Sequence, residues 1–121
     1  MRILCVCLKG ENRSSYLSSY LKKKGHDARF GGVHEEAKKR ITQEDIDASE
    51  LIIVVREYLR NMLEEKFNVK NKKIITLEVS DYPPELGEYA VRINEKSRNE
   101  FQNRFVRPKL RSQLKKIMPK L

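Results

Sequence analysis

The sequence predicts an α/β fold, a three-layer sandwich whose four-stranded parallel sheet is covered by helices. Two observations carry this. Short apolar runs alternate along the chain with helical patterns, the order that builds right-handed parallel crossovers. Two of those runs, Arg2-Ile3-Leu4-Cys5-Val6 and Leu51-Ile52-Ile53-Val54-Val55, are continuous rather than alternating, as in strands buried on both faces. A chain of 121 residues with 39% hydrophobic and 36% charged positions fits a single domain, residues 1–121, with one core.

The elements follow in order. Residues 2–6 form the first strand. A helix is expected from Ser14 to Lys24 with Leu17, Tyr20 and Leu21 on one face, stopped by Gly25, its negative end matched by Lys22, Lys23 and Lys24. His26 to Phe30 reads as a second strand ended by Gly31-Gly32. Residues 33–41 are polar and basic, a short helix or loop, after which Thr42 N-caps a turn through Glu44-Asp45-Ile46-Asp47. Residues 51–55 are the clearest strand. Tyr58, Leu59, Met62, Leu63 and Phe67 form a helical stripe after it, and Lys73 to Leu77 is the fourth strand. A loop, 78–85, precedes a helical remainder interrupted by Pro108, expected as the first residue of a last helix carrying Leu110, Leu114, Ile117 and Leu121.

Charge and cysteine usage exclude several classes. The net charge of +9 sits mostly in the C-terminal helical segment: residues 92–121 hold +8 and residues 1–91 only +1. A solvated helix face is the plain reading; nucleic acid or an acidic partner is the less expected one. No apolar run approaches the roughly 20 residues of a membrane span, and a core strand begins at residue 2, so a cytoplasmic monomer without a signal peptide is expected. The only cysteines, Cys5 and Cys7, lie two apart on one strand and cannot sensibly bond to each other. A metal site would need ligands beyond them, with only His26 and His34 on offer, so no metal or other cofactor is expected.

Chemistry concentrates where the first strand meets the first helix, in Cys7-Leu8-Lys9-Gly10-Glu11-Asn12-Arg13-Ser14. A phosphate dianion needs several donors at once, and a loop that turns successive backbone N–H groups inward at a helix N-terminus supplies them. Leu8, Lys9, Gly10, Glu11 and Asn12 are placed to offer these amides, with Gly10 allowing a backbone conformation that other residues resist. Arg13 closes the cup with a planar fork that grips two oxygens in parallel. Helix N-termini and cations stabilise thiolates, the nucleophilic form of sulfur, so Cys7 is expected to attack phosphorus, with Ser14 donating a hydrogen bond to it. Open parallel sheets bind ligands beyond the carboxyl ends of their strands. Asp81, like Cys7, follows a strand end.

This stretch resembles the Cys-x5-Arg-Ser signature of the low-molecular-weight protein tyrosine phosphatases. The run Ile41-Thr42 through Ala48-Ser49-Glu50-Leu51 to Val54 is similar to the approach and third strand of that family, and Ser80-Asp81-Tyr82 to the Asp-Tyr loop of its compact, predicted-phosphatase branch. The resemblance covers roughly residues 2–90. It implies a four-stranded parallel sheet and a cysteinyl-phosphate mechanism without metal: Cys7 as nucleophile, Arg13 and the loop amides on the equatorial oxygens, Asp81 as acid and then base, and Tyr82 flanking a phenolic substrate. The implied substrate is a phosphorylated protein or small aryl phosphate, and the loop should bind phosphate- or sulfate-like anions.

Three departures stand out. Asn12 replaces the family's second loop cysteine, Asp81-Tyr82-Pro83 replaces its usual Asp-Pro, and Glu11 puts an acid on the loop, outward-facing and partly offset by Lys9. Glu78 and Glu85 are rivals of Asp81 for the acid. An arsenate reductase would share loop and fold but needs further cysteines. A phosphotransferase subunit would lack Arg13. A weak or inactive relative that only binds phosphate or nucleic acid is the alternative of a different class.

Overall fold

The computed structural model describes residues 1–117, in two compact units, Met1–Glu78 and a second that begins at Val79. The first unit holds a four-stranded, all-parallel sheet of β1 (Arg2–Cys7), β2 (Asp27–Gly32), β3 (Leu51–Val54) and β4 (Lys73–Thr76), in the order β2-β1-β3-β4. The two strands that read as continuous apolar runs are the central pair. Ile3 to Val6 and Leu51 to Val54 are all at most 2% exposed, as strands covered on both faces must be. β4 is an edge, half-exposed and opened by the exposed Lys73, a charge that discourages pairing with another chain.

The connections are α1 (Arg13–Lys23), α2 (Gln43–Ala48) and α3 (Glu57–Lys66). β1 connects to β2 in one direction across the sheet, and β3 to β4 in the other. The right-handed rule for parallel crossovers therefore puts α1 on one face and α3 on the opposite face. The direction reverses between β1 and β3, so the ligand crevice of such a sheet opens beyond their carboxyl ends. Cys7 is the last residue of β1.

Local chemistry explains the boundaries. α1 buries Leu17 and Leu21, and Gly25, at φ +93°, takes the left-handed turn that ends it, its N–H bonded to the Lys22 carbonyl at 3.0 Å. Tyr20 is half-buried and stacks on Tyr16, ring centroids 6.3 Å apart. Thr42 caps α2 as expected: its Oγ1 accepts from Asp45 N at 3.2 Å, while Asp45 Oδ2 accepts from Thr42 N at 2.9 Å. In α3 the stripe narrows to Leu59 and Leu63, both fully buried. Tyr58, one position round the helix from Leu59, is 42% exposed with Arg56 over its ring.

β2 ends later than the sequence reading gives, and the segment read as a short helix or loop is a loop. β2 continues through Gly31 and Gly32, which stand opposite Val6 and Cys7 in the β1 register. The glycines were expected to end the strand, but a parallel neighbour can hydrogen-bond them whatever their side chains. Residues 33–41 contain no helix and form a looped return, bridged at Gly32 and Arg40.

The second unit contains a 3-10 turn (Pro83–Leu86), α4 (Glu88–Lys96), α5 (Arg98–Phe101), a π-helical turn (Gln102–Val106) and α6 (Arg107–Ile117). Pro108 does not follow a break. It is the second residue of α6, which continues directly from the wide turn, where Arg107 N bonds to the Gln102 carbonyl five residues back. Proline removes one amide and its ring crowds the carbonyl four residues earlier, and a five-residue turn just before it gives that ring room. The interruption lies instead at Ser97, whose Oγ accepts from Glu100 N at 3.1 Å to start α5. Leu110 and Leu114 are fully buried and Ile117 half-buried; Leu121 lies outside the described residues. Among the described residues no helix is long and apolar enough to cross a membrane.

Candidate active site

The loop between β1 and α1 is shaped from outside by the return segment after β2. The carbonyls of Cys7, Leu8 and Lys9 accept from Val33 N (3.1 Å), His34 N (3.0 Å) and Lys38 N (3.1 Å). In a trans peptide the N–H points opposite to the carbonyl of the same unit. Pinning three successive carbonyls outward therefore turns the amides of Leu8, Lys9 and Gly10 inward. Gly10 N shows where inward is: it lies 3.2 Å from Cys7 Sγ. This side of the loop is thus shaped by backbone bonds from the return segment.

Gly10 has φ +69°, in the left-handed region that glycine tolerates. Space requires glycine there as well, because a Cβ would come within 2.8 Å of both Gly32 N and the Lys39 carbonyl. Gly32 faces the same contact from the other side, its Cβ position 2.5 Å from Gly10 N and 2.6 Å from the Leu8 carbonyl. Gly32 N donates to the Lys39 carbonyl at 2.8 Å, and Lys66 Nζ reaches the Val33 carbonyl at 3.2 Å, tying the brace to the end of α3.

Sequence reasoning assigned this segment no part in the site and gave His34 no role. The available signal was positional. Two adjacent glycines at the end of the strand beside β1 leave room for another backbone at the level of Cys7.

Ser14 Oγ lies 3.0 Å from Cys7 Sγ, both buried, so the sulfur sits between a hydroxyl and the Gly10 amide. Arg13, 5% exposed, is the first residue of α1, and the Asn12 carbonyl accepts from Tyr16 N at 3.0 Å to start that helix. The positive end of an eleven-residue helix thus stands at the loop. Glu11 is exposed, as expected, but its charge is met by Lys38 at 3.5 Å rather than Lys9, which pairs with Glu36 at 3.9 Å. Both pairs are open to solvent and contribute about 0–1 kcal/mol each.

Cys5 is fully buried within β1. Burial first, and the neighbouring Cys7 second, push its thiol from 9.0 up to about 12. Because its pKa is raised, the stability linked to its protonated form is intact below pH 9 and fades only as pH climbs toward 12. Both cysteines are free. Native protein at pH 8 is therefore expected to take up one equivalent of iodoacetate, at Cys7, and inorganic phosphate should slow it; denatured protein should take up two. Peptide mapping that found native label on Cys5 would contradict this placement.

Asp81 and Tyr82 belong to the second unit. There Asp81 Oδ2 lies 3.7 Å from Arg98 Nη2, and the Asp81 carbonyl 3.4 Å from Arg98 Nη1. Tyr82 is 58% exposed, its N–H bonded to Ser80 Oγ at 3.1 Å. Of the rival acids, Glu78 is engaged structurally at the start of α3, where one oxygen holds Arg56 Nε at 2.9 Å and the other accepts from Glu57 N at 3.1 Å. Glu85 is exposed, within the 3-10 turn. Among the described residues no group of three or more His, Cys, Asp or Glu side chains is placed to hold a metal ion.

The sequence matches no family model and no curated protein. The fold is similar to the solution structure of a low molecular weight protein tyrosine phosphatase from Bacillus subtilis, with a TM-score of 0.60 and 18% identity over 98% of both chains. That likeness establishes the α/β architecture with its four-stranded parallel sheet.

Proposed function

We propose that this protein is a cysteine-dependent phosphatase that hydrolyses phosphomonoesters, phosphotyrosine first among them, through a cysteinyl-phosphate intermediate. The observation that supports it most is the setting of Cys7 Sγ, 3.0 Å from Ser14 Oγ and 3.2 Å from Gly10 N, at the start of a helix and inside a loop whose amides are turned toward it. A merely structural cysteine needs none of these donors; Cys5, two residues earlier and likewise buried, has neither contact at its sulfur among the described residues.

The chemistry follows from the parts. The Cys7 thiolate attacks phosphorus, forming the S–P bond as the P–O bond to the leaving group breaks. Amides of the loop and the Arg13 fork hold the equatorial oxygens, whose charge rises in the transition state. Asp81 gives its proton to the departing oxygen, which leaves as the alcohol or phenol. The Asp81 carboxylate then takes a proton from water as that oxygen attacks phosphorus, and the S–P bond breaks to release inorganic phosphate. Ser14 and Gly10 donate to the sulfur as it regains its charge. Phosphotyrosine is assigned from the similar phosphatase and from Tyr82, an exposed aromatic next to the proposed acid.

The direct test is hydrolysis of p-nitrophenyl phosphate and phenyl phosphate under reducing conditions by wild-type protein and Asp81→Asn. Turnover is expected from the wild type; Asp81→Asn should be slower by about 10²–10⁴-fold on phenyl phosphate, whose leaving group needs the proton, and by much less on p-nitrophenyl phosphate, whose leaving group does not. Absence of wild-type turnover would overturn the enzyme reading. An unchanged rate on phenyl phosphate in Asp81→Asn would remove only the acid assignment.

A further inference from the structure

The second unit carries a surface that the phosphatase reading does not use. Tyr89, Arg92, Ile93 and Lys96 recur at helical spacing on one face of α4. Together with Glu95 they line an open hollow of about 490 Å³. Tyr89 is 54% exposed, yet its ring is fixed in place: Arg104 Nη1 donates to its hydroxyl at 2.8 Å, and Phe105 meets the ring edge-on with centroids 6.0 Å apart. A large aromatic left open and held in one orientation is a platform rather than a packing residue.

Basic side chains predominate in the sequence that follows it. From Phe101 to Leu121 the sequence has seven Lys or Arg and no Asp or Glu. Lys109, Lys115 and Lys116 on α6 are exposed and form no ion pair among the described residues. Glu88 beside Tyr89, Glu95 in the hollow and Glu100, which pairs with Arg104 at 2.6 Å, are acids nearby in sequence, and they are outnumbered by the basic residues of α4 and the segment after it.

We propose that this face of the second unit binds single-stranded nucleic acid, with a base stacked on Tyr89 and the backbone phosphates running over Arg92, Lys96 and the α6 lysines. A single strand offers both things the surface is built to meet, open π-faces and a repeating negative charge. A lipid surface fits less well, because the apolar side of α6, Leu110 and Leu114, is fully buried and not available to insert. A duplex fits less well because its bases are already stacked on each other.

The test is fluorescence anisotropy with a labelled 20-nucleotide oligothymidylate bearing no terminal phosphate. It is read in 50 mM and 200 mM salt, with and without saturating inorganic phosphate at matched ionic strength. Expected are binding that weakens with salt, preference over a duplex of equal length, and indifference to inorganic phosphate. Tyr89→Ala should weaken binding by roughly 5- to 100-fold, while Tyr89→Phe stays within about twofold. Replacing Lys109, Lys115 and Lys116 by glutamine should flatten the logarithmic salt slope by about 2, at about 0.7 per cation. If Tyr89→Ala melts early, Arg92→Gln with Lys96→Gln, both at exposed positions, gives the same reading by weakening binding without loss of fold. No binding at 50 mM salt, equal affinity for duplex, competition by inorganic phosphate, or binding to anionic vesicles in place of the oligonucleotide would each overturn the proposal.

Discussion

Cys7→Ser is expected to abolish aryl phosphate turnover, by roughly 10⁴-fold or more, while the protein still folds and still binds inorganic phosphate. The asymmetry follows from where the work is done. On the proposed reading phosphate is held by the loop amides and by Arg13, which the substitution leaves untouched. The attack needs a thiolate, and a serine hydroxyl at the same place is a far weaker nucleophile. Serine is also the least disruptive replacement for this site. Its oxygen can keep hydrogen bonds to Ser14 Oγ and Gly10 N, which contact the sulfur at 3.0 and 3.2 Å. Initial rates with p-nitrophenyl phosphate and calorimetric titration with phosphate separate the two effects. A variant that retained a tenth of the wild-type rate would show that sulfur is not the nucleophile. Loss of phosphate binding together with loss of rate would show that the substitution had damaged the cup.

The sheet was legible because its two central strands, Ile3–Val6 and Leu51–Val54, are covered on both faces and so read as unbroken apolar runs. Thr42 was legible because its side chain caps α2 through the residue three positions on. The loop was legible because Cys7, Arg13 and Ser14 are identified by side chains at fixed spacing. What stayed hidden works through backbone or over distance. Val33, His34 and Lys38 brace the loop with their amides, and an amide is the same whatever residue carries it. Lys38 meets Glu11 across a gap of 27 positions, so the charge offset was read onto the nearer Lys9, which pairs with Glu36. The π-helical turn escaped for a related reason: Pro108 signals that a regular helix cannot run through it, but not that a wider turn will absorb it rather than a break. Gly31-Gly32 was seen and misread. Adjacent glycines commonly end a strand, and only the pairing with β1 shows that these continue it to the level of Cys7.

Gly32 therefore carries the second large effect. Gly32→Ala is expected to cost both stability and phosphate binding, although glycine's conformational freedom is not what the position uses. Its φ lies outside the positive range that Gly10, Gly25 and Gly87 occupy, so alanine could adopt the backbone angles. Space forbids it. The added methyl would sit 2.5 Å from Gly10 N, 2.6 Å from the Leu8 carbonyl oxygen and 2.6 Å from the Lys9 carbonyl carbon, all backbone atoms with no side chain to swing aside. Either β2 leaves its register with β1, or the loop moves away from Cys7 and its amides lose their aim. Overpacking of this kind costs typically 1–3 kcal/mol, and a melting temperature lower by roughly 5–15 °C is expected. Phosphate affinity should fall by more than about tenfold, the loss of at least one aligned charge-assisted hydrogen bond. Gly25→Ala is the control: φ there is +93° but no atom lies within 4 Å of the added methyl, so it should cost about 1–2 kcal/mol of backbone strain and leave phosphate binding unchanged. If Gly32→Ala bound phosphate as tightly as wild type, the inward aim of the amides would not depend on the β2 return segment, and the brace would be a feature of the fold with no part in the site.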